Sequence, residues 1–274
     1  MDNPLFINTI LLGGSTAQKI AAAGAAGFDQ VELWRQDVDA APDGVAGVVQ
    51  ALADADVELT DFQVLLDFDG APGEQRAVKR AEALRMLDLA VLAGAGTLLA
   101  PASTDPACDA TRIVDDLAWL AQQAGARGLR VAYEAMAWST VNHATPAAWR
   151  CVQAAGQPNL GMVIDAFHIF VRGRAASDID GIPADRIYLV QLSDLDRAVD
   201  PADLVDTARH RRLLPGAGHF PLASLLQRLA ALGYTGPIGL EVFNDQMQAR
   251  DPAAVAVEAM AALRTACLAF APAP

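Results

Sequence analysis

Four short apolar runs of this chain each end on an oxygen-donor side chain: LRVAYE at 129–134, LGMVID at 160–165, IYLVQ at 187–191 and IGLE at 238–241. Such a run reads as a buried strand, and a polar residue at its carboxyl end leaves the apolar layer. Glu134, Asp165, Gln191 and Glu241, delivered from four parallel strands, would form an oxygen-rich cup suited to one divalent cation. Oxygen donors without a thiolate favour Mg²⁺ or Mn²⁺, admit Co²⁺ and suit Zn²⁺ less well. Taken singly, each of the four is explained as well by a helix cap or an ion pair. Their shared place at four strand ends is what carries the metal reading.

Other groups collect around these ends. His168 follows Asp165 by three residues in DAFHIF, where it could ligate the ion, orient a ligand or move a proton near neutral pH. His143, in WSTVNHATPAAW, lies on the segment after the fifth run and faces the same mouth, or else serves a helix entry. The stretch ARHRRLLPGAGHFPL gathers Arg209, His210, Arg211, Arg212 and His219 in an otherwise acidic chain, on what reads as a long loop between the seventh and eighth strands. Arg209 and Arg212 are the candidates there for a substrate carboxylate or phosphate. The run 215–218 reads as a turn into the next helix rather than a phosphate cradle. Glu32, in FDQVELW at the end of the second strand, is placed to stand behind the ligands or to meet a substrate hydroxyl, and Trp34 and Trp138 read equally as pocket walls or as ordinary rim packing. The chain holds no Walker loop, no HExxH and no GxSxG.

Elements able to position these residues recur along the whole chain. Strand-like segments fall near 5–11, 28–34, 57–64, 97–101, 129–135, 160–167, 187–193 and 237–243, with helical patterns between most of them. Ser15 reads as a helix N-cap, and the glycines at 94–96 as a helix stop. Eight such units over 274 residues, without a linker, point to one closed (β/α)8 barrel domain spanning 1–274. A doubly wound open sheet is the alternative, but the segment after the first strand carries only Gly13 and Gly14. In a barrel the chemistry sits at the carboxyl ends of the strands, where all four candidate ligands lie.

Composition narrows the setting. A net charge of −13 opposes binding to a phosphate backbone, so nucleic acid is not an expected partner. Three scattered cysteines suggest a reducing compartment and neither disulfides nor a zinc knuckle. The N-terminal stretch lacks a basic segment ahead of its apolar residues, and the uncharged stretch 89–104 is short and broken by glycines and Pro101. A cytoplasmic protein that neither enters nor binds a membrane is expected. A homo-oligomer is left open.

At these residues the chain resembles the xylose isomerase-like TIM barrel superfamily. It is most similar to the bacterial 3-dehydroshikimate dehydratases, through AAGAAGFDQVELW, YEAMAW, LGMVIDAFHI, IYLVQLSD, ARHRRLLPGAGHFPL and LEVFND over nearly its whole length. Gln191 is telling, since other branches more often place histidine at that strand end. The resemblance implies Glu134, Asp165, Gln191 and Glu241 as metal ligands and His168 as the proton-transfer residue, with Glu134 and Glu241 as an opposed acid/base pair in an epimerase version. It also marks a departure: Leu66 stands where the dehydratases carry an arginine for the substrate carboxylate, and Arg35 is the neighbouring cation that could replace it. The expected activity is a metal-dependent lyase or isomerase acting on a small hydroxyketone or sugar, in all expectation anionic. A nuclease of the endonuclease IV type would need many more histidines than four. The remaining alternative is a barrel that binds without turnover.

Overall fold

The computed structural model describes residues 3–268, so the ends of the expected 1–274 domain lie outside the described residues. Eight parallel strands close into one barrel in chain order: β1 Leu5–Asn8, β2 Gln30–Trp34, β3 Glu58–Gln63, β4 Thr97–Pro101, β5 Arg130–Glu134, β6 Leu160–Asp165, β7 Ile187–Leu192 and β8 Ile238–Leu240. β8 returns to β1 through the pairs Leu5–Ile238 and Ile7–Leu240. Among the described residues no helix is long and apolar enough to cross a membrane.

Local chemistry sets where strands stop. The expected first strand ran to residue 11, but the Asn8 side chain accepts the Ile10 N–H and opens a 3₁₀ turn over Thr9–Leu11. β6 likewise stops at Asp165, whose Oδ1 accepts the Phe167 N–H at 2.7 Å and starts the short helix Ala166–Phe170. Ser15 caps the helix Thr16–Ala25 in a reciprocal pair with Gln18, as the sequence indicates. The helix Arg76–Ala93 ends on Gly94 at φ +81°, a left-handed position that suits glycine.

The expected loop from 208 to 222 is only partly a loop. Leu204–His210 is helical, so Arg209 and His210 sit on a helix, and Leu213 then bridges to Asp194. Asp194 accepts N–H bonds from Gly216, Gly218 and Phe220, which commits the donors of that turn to the protein itself.

Strand alternation divides the barrel into two surfaces. Outward residues join the helices in one large apolar layer. Inward, Phe6, Leu99, Ala132, Val163 and Leu189 form a separate cluster that fills the barrel floor. Gly239 lies beside Phe6 in the ladder, and a Cβ there would fall 2.3 Å from the Phe6 ring and carbonyl oxygen, so the floor closes only around a residue without a side chain. Above this floor the next inward residues turn polar.

Candidate active site

The inward row above the floor comprises Asn8, Glu32, Asp61, Glu134, Asp165, Gln191 and Glu241, every one of them buried. Strand pairing places them side by side: Asn8 is opposite Glu32, Glu32 opposite Asp61, and Asp165 opposite Gln191. Five carboxyl groups in one dry annulus repel one another, so each needs a proton, a hydrogen-bond donor or a cation.

Donors are unevenly shared. Asp165 is served at both oxygens, by the Phe167 N–H and by Arg212 Nη1 at 2.9 Å. Glu241 accepts from Arg212 Nη1 at 3.0 Å and from Asn8 Nδ2 at 3.2 Å. By contrast, Glu134 Oε1 and Gln191 Oε1 are buried without any hydrogen-bond partner. Two partnerless oxygens beside Asp165 are what an oxygen-seeking divalent cation requires, and the donor set fits one. One ligand-type atom each from Glu134, Asp165 and His168 lies within 4.8 Å of the others. Glu241 falls outside that group, separated from Asp165 by the guanidinium that both carboxylates hold.

Burial pushes the Glu134 carboxyl well above its ordinary range, and the neighbouring Glu241 and Asp165 carboxylates add to the rise. Glu241 is pushed up to about 7 by burial, with Arg212 opposing. Both shifts measure how much this annulus favours positive charge.

His168 is buried, and burial pulls its imidazole down to about 4. Its Nδ1 accepts the Ala137 N–H at 3.1 Å, which puts the proton of the neutral ring on Nε2. That N–H faces Asp165 Oδ2 at 3.4 Å and Glu134 Oε1 at 3.5 Å. A protonated Nε2 has no lone pair for a cation, so the grouping of His168 with the two carboxylates is not a complete ligand set. In this tautomer Nε2 cannot take a proton from carbon, which narrows the expected shuttle role to hydrogen-bond donation from Nε2–H.

Arg212 differs from the expectation of a substrate-facing cation. It is 2% exposed, bonded to Asp165, Glu241 and the Ala208 carbonyl, and sandwiched near the Phe167 and Phe243 rings at 4.3 and 5.0 Å. The side chain lines the cavity wall but spends Nη1 on the two carboxylates.

Above the annulus opens a cavity of about 390 Å³. Trp34, Gln63, Leu66, Met136, Trp138, His168, Arg209 and Phe243 are among its walls. Of the two readings open for Trp34 and Trp138, the structure places both in the pocket wall. Arg209 lines this mouth and makes no ion pair among the described residues. Arg35 is turned away, held by Glu82 at 3.1 Å and facing Asp39, so it does not replace the arginine missing at Leu66. His143 is exposed and outside the cavity lining. Glu32 is beneath the cavity rather than in it, bonded to Gln191 and Asn8. The rest of the basic stretch disperses: His210 meets Asp245, Arg211 meets Asp206, and His219 lines a separate cavity.

A profile of the family described as xylose isomerase-like TIM barrel matches residues 20–266. The chain belongs to this family. Within it, the 3-dehydroshikimate dehydratases of Pseudomonas aeruginosa and Pseudomonas putida are both 36% identical to it, over 94% and 89% of this chain. The chain spans only 40% and 38% of those relatives. A solved xylose isomerase-like TIM barrel/4-hydroxyphenylpyruvate dioxygenase fusion protein superposes with a TM-score of 0.91 at 33% identity, covering 96% of this chain and 42% of that one.

Two members of this barrel's polar annulus were not anticipated. Asp61 is fully buried, and neither of its oxygens has a donor. Burial raises both Asp61 and Glu32 well above the carboxylate range, and the two contact each other closely enough to share a proton. Asn8 links Glu32 to Glu241. The available signal was alternation: in ELTDFQ, Leu59, Asp61 and Gln63 share one face, as Glu32 and Trp34 do in QVELW.

Proposed function

We propose that this chain is a divalent-metal-dependent lyase acting on a small polyhydroxylated ketone, as a 3-dehydroshikimate dehydratase does. The observation that carries the reading is the pair of partnerless buried oxygens, Glu134 Oε1, from a residue of the cavity wall, and Gln191 Oε1, from the residue paired with Asp165. The similarity to dehydratases over most of this chain supports the substrate class.

Glu134, Asp165, Gln191 and Glu241 would hold the ion, with Mg²⁺ or Mn²⁺ the best match to an all-oxygen set. When bound, the cation supplies positive charge that polarises a substrate carbonyl and lowers the cost of a carbanion beside it. Glu134, on the cavity wall, takes the proton from the carbon next to that carbonyl. His168 donates a hydrogen bond from Nε2–H to a substrate oxygen, and Arg212 holds Asp165 and Glu241 in place throughout. Arg209, at the mouth, meets an anionic group of the substrate. Trp34, Trp138 and Phe243 exclude water from the ring. In dehydration, the C–H proton and the β-hydroxyl leave together as water, and the remaining dienone enolises to the aromatic product.

A second reading, isomerisation or epimerisation of a sugar or inosose, is favoured by Leu66, which lines the cavity as an aliphatic residue where a carboxylate would want a cation. Both readings share the first proton removal. They separate in one assay: the Mn²⁺-loaded protein is given 3-dehydroshikimate, inosose and ketoses in turn, with ultraviolet absorbance and sugar chromatography as readouts. Growth of an aromatic absorbance that a chelator abolishes supports the dehydratase. Chelator-sensitive sugar interconversion alone supports the isomerase, and metal and ligand binding without any turnover would leave a binding barrel.

A further inference from the structure

Among the four candidate ligands, Gln191 is the only ambiguous one. An amide presents an oxygen on one side and an NH₂ on the other, and only the oxygen can meet a cation. In this protein the choice is made from below. Gln191 Nε2 donates to Glu32 Oε1 at 2.6 Å, leaving Oε1 of the amide partnerless on the other side. Glu32 Oε2 accepts from Asn8 Nδ2 at 2.9 Å, and the same nitrogen reaches Glu241 Oε1 at 3.2 Å. Glu32 has no exposed surface and does not line the cavity, so it is not placed to touch substrate.

We propose that Glu32 is a positioning residue that locks the Gln191 amide with its oxygen toward the cation and, through Asn8, ties Gln191 and Glu241 to one support. The proposal rests on the metal-centre reading above. A carboxyl group suits the task because each donor meets its own oxygen, Gln191 Nε2 at Oε1 and Asn8 Nδ2 at Oε2, and both oxygens keep a lone pair for them even when Glu32 shares a proton with Asp61. A neutral amide at this position has a single oxygen for the two donors, so one of them would be stranded. The placement is also costly, since Glu32 is packed against Asp61 near Glu241, and burial already disfavours its charge. An apolar side chain would fill the same volume without that penalty. A buried acceptor here is explained by what it orients.

The test is Mn²⁺ binding to the full chain by titration calorimetry, with thermal unfolding as a folding control, on wild type, Glu32→Gln, Glu32→Asp, Gln191→Glu and the double variant Glu32→Gln/Gln191→Glu. Supports of a metal ligand commonly change affinity by roughly 10–100-fold, and E32Q should weaken Mn²⁺ within that range. E32D keeps the charge but loses the reach to Gln191, and should weaken binding at least as much as about tenfold on the same basis. With Q191E both ends of residue 191 are oxygen, so orientation ceases to matter and E32Q should have little effect in that background. Equal weakening by E32Q in both backgrounds, or normal affinity in E32D, would mean that Glu32 acts by charge alone and overturns the proposal. Affinity unchanged in a folded E32Q overturns it too. A wild-type chain that binds none of Mn²⁺, Co²⁺ or Zn²⁺ removes the metal centre itself, and this inference with it.

Discussion

Replacing Arg212 by methionine probes the electrostatic logic of the annulus. The guanidinium lies 2.9 Å from Asp165 and 3.0 Å from Glu241, with almost no solvent contact. At an effective dielectric near 20 each pair is worth roughly 5–6 kcal/mol of attraction, offset by the cost of burying three charges. Deleting one partner of such a cluster typically costs about 3–5 kcal/mol, because the carboxylates that remain are buried without compensation. Methionine fills most of the volume between Phe167 and Phe243, so little of the loss should come from packing. For a domain of this size that corresponds to a fall in Tm of about 6–20 °C in metal-free protein. A divalent cation neutralises the same carboxylates, so in saturating Mn²⁺ the deficit should shrink by half or more. Differential scanning calorimetry of wild type and R212M, with chelator and with Mn²⁺, reads both numbers. An equal deficit in the two conditions, or a metal-free deficit below about 1 kcal/mol, would refute the claim that Arg212 and the cation serve the same charges.

Glu134→Gln should weaken Mn²⁺ binding while leaving the chelated protein at least as stable as wild type, since it replaces a buried carboxylate whose Oε1 has no donor by a neutral amide; unchanged Mn²⁺ affinity in the variant would count against Glu134 as a ligand. His168 should stay neutral at pH 7 with its proton on Nε2, which ¹⁵N-resolved spectra of the imidazole report directly; an Nδ1-protonated ring would reopen its role as base or ligand. Asp69 supplies a pH test away from the annulus. Burial raises it from 3.8 to about 6, outweighing the bonds from Tyr133 and the Ser103 N–H. The folded chain therefore keeps this proton between about pH 4 and 6 while the unfolded chain has released it. Stability from Asp69 is full below pH 4 and is lost as pH rises through 6, by about 3 kcal/mol in all. Urea unfolding of D69N against wild type should show the difference shift by that amount in favour of the variant between pH 4 and 7. A pH-independent difference would contradict it.

The eight strands were legible because buried parallel strands read as continuous apolar runs closed by glycine and polar punctuation, a pattern local to each segment. Glu134, Asp165, Gln191 and Glu241 were legible for a related reason: a polar residue ending such a run must leave the apolar layer, whatever the rest of the chain does. Asp61 hid inside its strand, because a carboxylate in mid-strand looks like a solvent-facing residue until the barrel closes and turns that face inward. Arg35 and Arg212 show the limit most plainly. Both are cations near the mouth in sequence, yet one is drawn outward by Glu82 and the other inward by two carboxylates. Local pattern thus settled which segments are strands and which oxygens gather at their ends. Closure of β8 onto β1 decided which charges meet, because it brings Asn8 and Glu32 against Gln191 and Glu241 across more than 150 residues of chain, and a partner at that distance leaves no periodic trace in the sequence.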